Sequence, residues 1–306
     1  MKKIICLSIT IITSIFLVPV HAAVLSQLRA FETTRLMSQA GTGVAGVYIE
    51  EASVLNPASI AFHQRSALYY QGARAEIEQP NSLRASNGPP FDASSKGQAI
   101  IISDTTTKVK GAASYQSQKE SDAQRRRFTF TSATEVGPNS SIGITYRYNI
   151  EKRYISTILD EETYDQVVIG ATHLVNKSIS MGIVVIDPFK SNQEDGKAIA
   201  GFQYLIDQTI AFLIDIGANF NKEISDSALY RGALQLNFFA DFYLRVGVFQ
   251  DKFTQTKGNG WGMSWMGPKL DIEFAMKSTK QINELSTLLY KDESIKEASI
   301  AMAIRF

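Results

Sequence analysis

Charged residues recur at every second position along several stretches of this chain, and their possible chemistry depends on the face they share. Asp271 and Glu273 alternate with Leu270, Ile272, Phe274 and Met276, and Lys269 and Lys277 flank them on the same side. Arg147 and Glu151, Asp215, Arg231, and Asp241 and Arg245 stand in similar company. Strand side chains alternate between two faces, so such residues line one wet surface. Carboxylates and guanidinium groups gathered there can border a permeation path or pair with one another. Nucleophilic catalysis needs more, a serine with a positioned histidine and a third group. Beyond residue 22 the histidines are His63 and His173, and His173 beside Thr172 at a turn has no such company. Two separated histidines do not make a metal cluster. The expectation is a protein that is not an enzyme, with no metal and no cofactor.

The other chemistry-bearing stretch does not alternate. Residues 23–64 carry Gly41, Gly43 and Gly46 among small residues, then Glu50, Glu51, Ala52 and Ser53, then Asn56-Pro57-Ala58-Ser59-Ile60-Ala61. The glycines permit tight turns and close backbone approach, and Asn-Pro initiates a turn. A phosphate cradle would require a strand before the glycines, a helix after them and a following acidic residue. No such order surrounds them.

The elements that must position these residues are strands. Ile142, Ile144, Tyr146, Tyr148 and Ile150 alternate with Ser141, Gly143, Thr145, Arg147, Asn149 and Glu151. Strands are expected over 66–79, 98–104, 108–119, 125–134, 140–152, 164–174, 178–188, 197–205, 208–219, 227–237, 239–250, 258–267, 268–278 and 296–306, fourteen in all. Longer polar connections (80–97, 120–124, 153–163, 189–196, 220–226, 251–257, 279–295) alternate with short ones. Pro80, Pro89, Pro90, Pro138, Pro188 and Pro268 fall in connections or at strand ends, where a missing donor does no harm. Ile282, Leu285, Leu288 and Leu289 sit at helical spacing in the last long connection, which reads as a rim helix or a lid.

The last strand carries Ala298, Ile300, Met302, Ile304 and Phe306 on one face. Alone it fits a soluble sandwich edge or the closing strand of a barrel. An apolar face throughout, a charged opposite face and an even strand count favour a barrel with lipid outside and water inside. The fold expected is therefore all-β, a transmembrane antiparallel barrel of about 14 strands with an N-terminal plug. Phe306 is its barrel-closing signal, addressed to the barrel-assembly machinery. Arg125-Arg126-Arg127, at an outer strand end, is a candidate nucleic-acid patch, but reads better as a solvated anchor beside charged lipid head groups.

Export fits this reading. Lys2 and Lys3, the apolar run from Ile4 to Val18 and small residues at Ala22 have the layout of a signal peptide cleaved after Ala22, with an uncleaved anchor as the alternative. Cys6 goes with it, leaving no thiol for a disulfide or metal. The exported chain holds 29 basic and 30 acidic residues, a balance that does not point to nucleic acid.

The glycine run, the acidic pair and Asn56-Pro57-Ala58 resemble the N-terminal hatch of the FadL-type outer-membrane proteins, which carry long-chain fatty acids and aromatic hydrocarbons. Ser59 stands where the family motif usually has glycine. The resemblance implies a division into signal peptide 1–22, plug 23–64 and barrel 65–306. It implies passive movement of a hydrophobic small molecule through a lumen gated by Gly41, Gly43, Gly46, Asn56, Pro57 and Ala58, which serve as packing turns or as cargo contacts. The setting would be an outer membrane with both termini periplasmic and membrane lipid as partner. The outer loops are reduced relative to the family, and a non-conducting plugged barrel that anchors a secreted or periplasmic protein is the alternative.

Overall fold

The computed structural model describes residues 30–78, 94–120, 123–155, 158–189, 191, 196–207, 209–239, 241–281 and 294–306. The expected leader and rim helix lie outside these residues. Among those described, fourteen antiparallel strands follow in order around one closed barrel: β1 (Ala67–Glu78), β2 (Ser94–Asp104), β3 (Val109–Lys119), β4 (Ala123–Glu135), β5 (Ser140–Ile155), β6 (Ile158–Leu174), β7 (Ile179–Ile186), β8 (Lys197–Ile206), β9 (Ile210–Asn219), β10 (Ala228–Phe238), β11 (Phe242–Asp251), β12 (Thr256–Met266), β13 (Leu270–Gln281) and β14 (Ser294–Arg305). Every strand pairs with its sequence neighbours, and β14 pairs with β1 from Ala67↔Arg305 to Glu78↔Ser294. Ser66 and Phe306 complete the seam by exchanging backbone hydrogen bonds of 3.0 and 3.1 Å. Closure leaves no free edge.

The period-2 pattern decides which side chains meet which solvent. Ile142, Ile144, Tyr146 and Tyr148 are exposed on the outer wall, as are Ile272, Ile300, Met302 and Ile304. Their alternates Thr145, Arg147, Asn149 and Glu151 are buried inside. No helix among the described residues is long and apolar enough to cross a membrane. The strands do the crossing: in a bilayer a closed barrel satisfies every backbone donor and acceptor while its apolar outer face meets lipid.

Residues 30–66 fill the lumen. They form one helix, α1 (Thr34–Ser38), and two short 3-10 turns, Glu50–Ser53 and Pro57–Phe62. The core lies between this plug and the wall, where Phe31, Leu36, Val44 and Leu55 meet Tyr69, Ile101, Val168 and Ile199. A second cluster seats Ile49, Ile60 and Ala61 against Ala67, Ala112 and Ala133.

The structure departs from the sequence reading in three places. The expected connection 153–163 is largely strand, since β5 runs to Ile155 and β6 starts at Ile158. Its charges look loop-like in sequence, yet they pair across the hairpin, with Lys152 Nζ 2.8 Å from Glu161 Oε2. Arg125 and Arg127 are not solvated anchors, because β4 starts early enough to place them in phase with the inward Thr129 and Thr131. Only Arg126 points out. Asp241 is not in the lumen; it is exposed in the turn before β11.

Candidate functional site: the plug and its seat

The plug is held by its own turns before it touches the wall. Thr33 caps α1, accepting from Leu36 N at 3.2 Å while its hydroxyl donates to Glu51 Oε1 at 2.8 Å. Gly41 ends the helix in the left-handed conformation, φ +82°, which glycine adopts without strain. A side chain at Gly46 would collide with the Tyr48 ring, so glycine there lets Tyr48 fold back beneath the Arg35 guanidinium, 4.4 Å from the ring centroid. Asn56 uses both ends of its amide: Oδ1 accepts from Ala58 N at 3.0 Å, and Nδ2 donates to Val44 O at 2.7 Å and to Thr172 Oγ1 at 2.9 Å on β6. Pro57 follows as the first residue of its 3-10 turn, where no backbone donor is needed.

Three cross-strand glycine pairs receive the plug. Gly143 on β5 lies opposite Gly170 on β6, Gly182 on β7 opposite Gly201 on β8, and Gly247 on β11 opposite Gly260 on β12. A Cβ at Gly143 would stand 2.6 Å from Pro57 C, and one at Gly182 would stand 2.3 Å from Val44 O. One at Gly247 would meet Gln39 O at 2.4 Å, and one at Gly260 would meet Met37 O at 2.1 Å. Each pair is a gap in the inner lining through which plug backbone reaches wall backbone. Wall hydroxyls then bond the exposed plug carbonyls, Ser141 Oγ to Ala58 O at 2.9 Å and Ser180 Oγ to Ala45 O at 2.8 Å.

The lumen charges complete the clasp. Glu273 accepts from Arg35 Nη2 at 2.8 Å and lies 3.9 Å from Arg245, whose Nε donates to Gln235 Oε1 at 2.7 Å. Asp271 pairs with Arg305 at 2.5 Å, and Arg305 also reaches Glu50 at 3.5 Å. Asp215 accepts the amides of Gly43 at 2.8 Å and Val44 at 3.2 Å. Arg231 donates to Gly41 O at 2.8 Å, and Arg147 donates to Val54 O at 2.5 Å. Glu151 pairs with Arg125 and accepts from Tyr164. Glu50 and Glu51, read in the sequence as an acidic pair, are buried beside Arg35. Sequence reasoning missed Arg35, Glu32 as the partner of Lys277 at 2.7 Å, and the cross-strand pairing of six inward glycines. An isolated glycine inside a strand pattern was the available signal.

Burial pushes the Glu51 carboxyl up to about 7, against the opposing pull of Arg35. Burial likewise lowers His63 to about 4, and Arg305 adds to that. On one side of the plug remains a crevice of about 60 Å³, room for about two water molecules. Arg125, Arg127, Arg147, Lys197 and Arg231 border it, over an apolar floor that includes Phe31 and Leu55.

A closed fourteen-stranded barrel around a short plug is shared with several solved structures. The toluene transporter TbuX of Ralstonia pickettii superposes with a TM-score of 0.66 at 11% identity, over 92% of this chain and 99% of that one. The toluene transporter TodX of Pseudomonas putida gives 0.65 at 8% identity, over 90% and 98%. A Pseudomonas aeruginosa FadL homologue gives 0.58 at 9%, over 90% and 98%. The fold is that of the FadL-type channels. No family model matches the sequence, and a search of curated proteins gives no match either. At these identities the likeness to FadL-type proteins is one of backbone path, and the plug contacts described above are this chain's own.

Proposed function

We propose that this protein is an outer-membrane channel for passive uptake of hydrophobic small molecules, fatty-acid-like or aromatic, with the N-terminal plug as its gate. The reading rests on one observation above all: the lumen is closed by a discrete plug whose crevice combines an apolar floor with a cationic border. Displacement of the turns at Gly41–Gly46 and Asn56–Ala58 would widen the crevice into a path for the cargo. Nothing in this route needs an energy source beyond the concentration gradient. The described solved relatives named as toluene transporters support the cargo class, and the apolar outer wall supports the membrane setting. The same reading places both termini in the periplasm, a leader at 1–22, the plug at 23–64 and the barrel from 65, with assembly through the strand ending at Phe306.

The test uses a cross-link. Thr34 Oγ1 and Ser299 Oγ are 2.7 Å apart across the plug and wall, and Cys6 is the chain's one cysteine. Uptake of labelled long-chain fatty acid and of a small aromatic hydrocarbon is measured in cells carrying the Thr34→Cys, Ser299→Cys variant. Oxidation should stop uptake and reduction should restore it. Uptake indifferent to the bond means the plug is not a gate. No uptake even with the wild-type protein supports the second reading, a non-conducting plugged barrel that anchors a partner protein. The number of ion pairs sealing the lumen favours that alternative.

A further inference from the structure

The outer wall carries a feature that neither transport nor plugging uses. At matched register on β1, β2 and β3 stand Arg74, Lys96 and Lys119, with Arg74 directly opposite Lys96 and Lys96 directly opposite Lys119. All three are exposed and point outward. None takes part in an ion pair or hydrogen bond among the described residues. Like charges directly across a ladder have Cβ atoms about 4.5–5.5 Å apart and destabilise it. The outward carboxylate on the same stretch of β1, Glu76, stands directly opposite Lys296 on β14 and only diagonal to Lys96 on β2. Arg126 adds a further exposed cation on β4. Among the described residues no carboxylate stands directly opposite any member of the row.

Immediately beside it lies an apolar groove of about 530 Å³, bordered by Arg74 and Lys96 themselves. Its floor is Gly72, where an added Cβ would meet nothing within 4 Å. Tyr70, Phe274, Ile300 and Met302 line its sides. The volume is within the range of small-molecule sites, but this one opens toward the bilayer instead of the lumen. A cationic head site continuous with a lipid-facing trough matches a molecule with a phosphate at one end and an acyl chain at the other. Guanidinium and ammonium groups at membrane depth hold phosphate oxygens while their stems lie along apolar surface.

We propose that this groove is a specific site for an anionic acyl lipid of the surrounding leaflet with an exposed phosphate and no cationic head group, its phosphate bridging Arg74, Lys96 and Lys119 and one acyl chain lying over Gly72. The lipid neutralises the cationic row and fills the depression beside it.

Native mass spectrometry of the full chain in detergent, with dioleoyl phosphatidic acid or dioleoyl phosphatidylcholine added, tests this directly. Wild-type protein should retain phosphatidic acid in preference to phosphatidylcholine. Arg74→Gln with Lys96→Gln should weaken retention roughly thirtyfold, about fivefold for each cation removed near a membrane surface. Gly72→Leu fills the trough and leaves the charges; it should lose the lipid without losing heat-modifiable migration of the folded barrel. Equal retention of the two lipids, or retention unchanged in both variants, overturns the proposal. So does full competition by inorganic phosphate, which would reduce the site to a free-anion site. A dimer that Gly72→Leu abolishes would overturn it in favour of a second copy of the chain.

Discussion

Glycine does opposite work on the two faces of this barrel. On the inner face, Gly143, Gly170, Gly182, Gly201, Gly247 and Gly260 stand in cross-strand pairs, and plug atoms reach into the space each leaves: backbone at Gly143, Gly182, Gly247 and Gly260, the Asn56 and Pro57 side chains at Gly170, and Ala45 N together with the wall's Asp215 at Gly201. On the outer face, Gly72 leaves space that the protein does not fill. The charges divide in the same way. Inside, Glu273, Asp271, Asp215 and Glu151 each have partners at hydrogen-bond distance. Outside, Arg74, Lys96 and Lys119 face one another. The inner face is complementary to another part of the same chain, and the outer face is complementary to something the chain lacks. A sequence pattern that reads as one device, alternation, thus builds two surfaces with different needs.

The contrast can be broken most forcefully at Glu273. Glu273→Gln leaves Arg35 and Arg245 buried without their carboxylate, and stability in micelles measured by urea unfolding should fall by about 3–5 kcal/mol. A loss no larger than that of an exposed pair would mean the inner charges are wet. The outer counterpart is Ile144→Arg, half exposed to lipid on β5; about 2–4 kcal/mol should be lost if it lies near the bilayer midplane, and indifference would reverse the faces.

Glycine gives a finer comparison. Gly247→Ala forces a methyl into the Gln39 carbonyl and should cost about 1–3 kcal/mol as an overpacked contact. The clash loosens plug backbone that has no ladder of its own, so the plug amides should exchange hydrogen faster while those of the wall stay protected. Gly72→Ala on the outside should change stability by less than about 0.5 kcal/mol. Similar losses at the two positions would erase the distinction between occupied and vacant gaps.

The smallest effect concerns pH. The buried Glu51 carboxyl, raised to about 7, favours the docked plug fully below its ordinary range near 4.5, and that contribution is lost as pH rises through about 7. His63, lowered to about 4, acts with the opposite sign: its contribution is present above its ordinary value of 6.5 and is lost as pH falls through about 4. The two oppose each other between about 4.5 and 6.5. Single-channel recordings from pH 6.5 to 8 isolate Glu51 and should show more frequent opening as pH rises, levelling off once Glu51 is ionised in the docked plug. Glu51→Gln should remove that slope.

Much of this was legible in the residues. The last strand's apolar face and the repeated alternation specified fourteen strands and which side of each meets lipid, because a period of two leaves a strand no other way to hide Ile300, Met302 and Ile304 from water. The run from Gly41 to Ala58 marked the plug, since a stretch of turns without alternation has no place in the wall. Misplaced strand boundaries account for Arg125, Arg127 and Asp241: β4 begins at Ala123, so the two arginines belong to the inner lining and not to a strand end, and β11 begins at Phe242, so Asp241 falls in a turn. The connection at 153–163 failed for a related reason, as charges that pair only across a hairpin look like a loop when read in line.

What only the tertiary structure decided is which residues meet across the lumen. Asp215 with Gly43, Arg35 with Glu273, and the three glycine pairs with the plug carbonyls are contacts between segments 172, 238 and 86 to 223 positions apart. No local period encodes them. Closure of β14 on β1 sets the curvature, the curvature aims the inner side chains at a common centre, and the fit of one short plug into that centre then selects the partners.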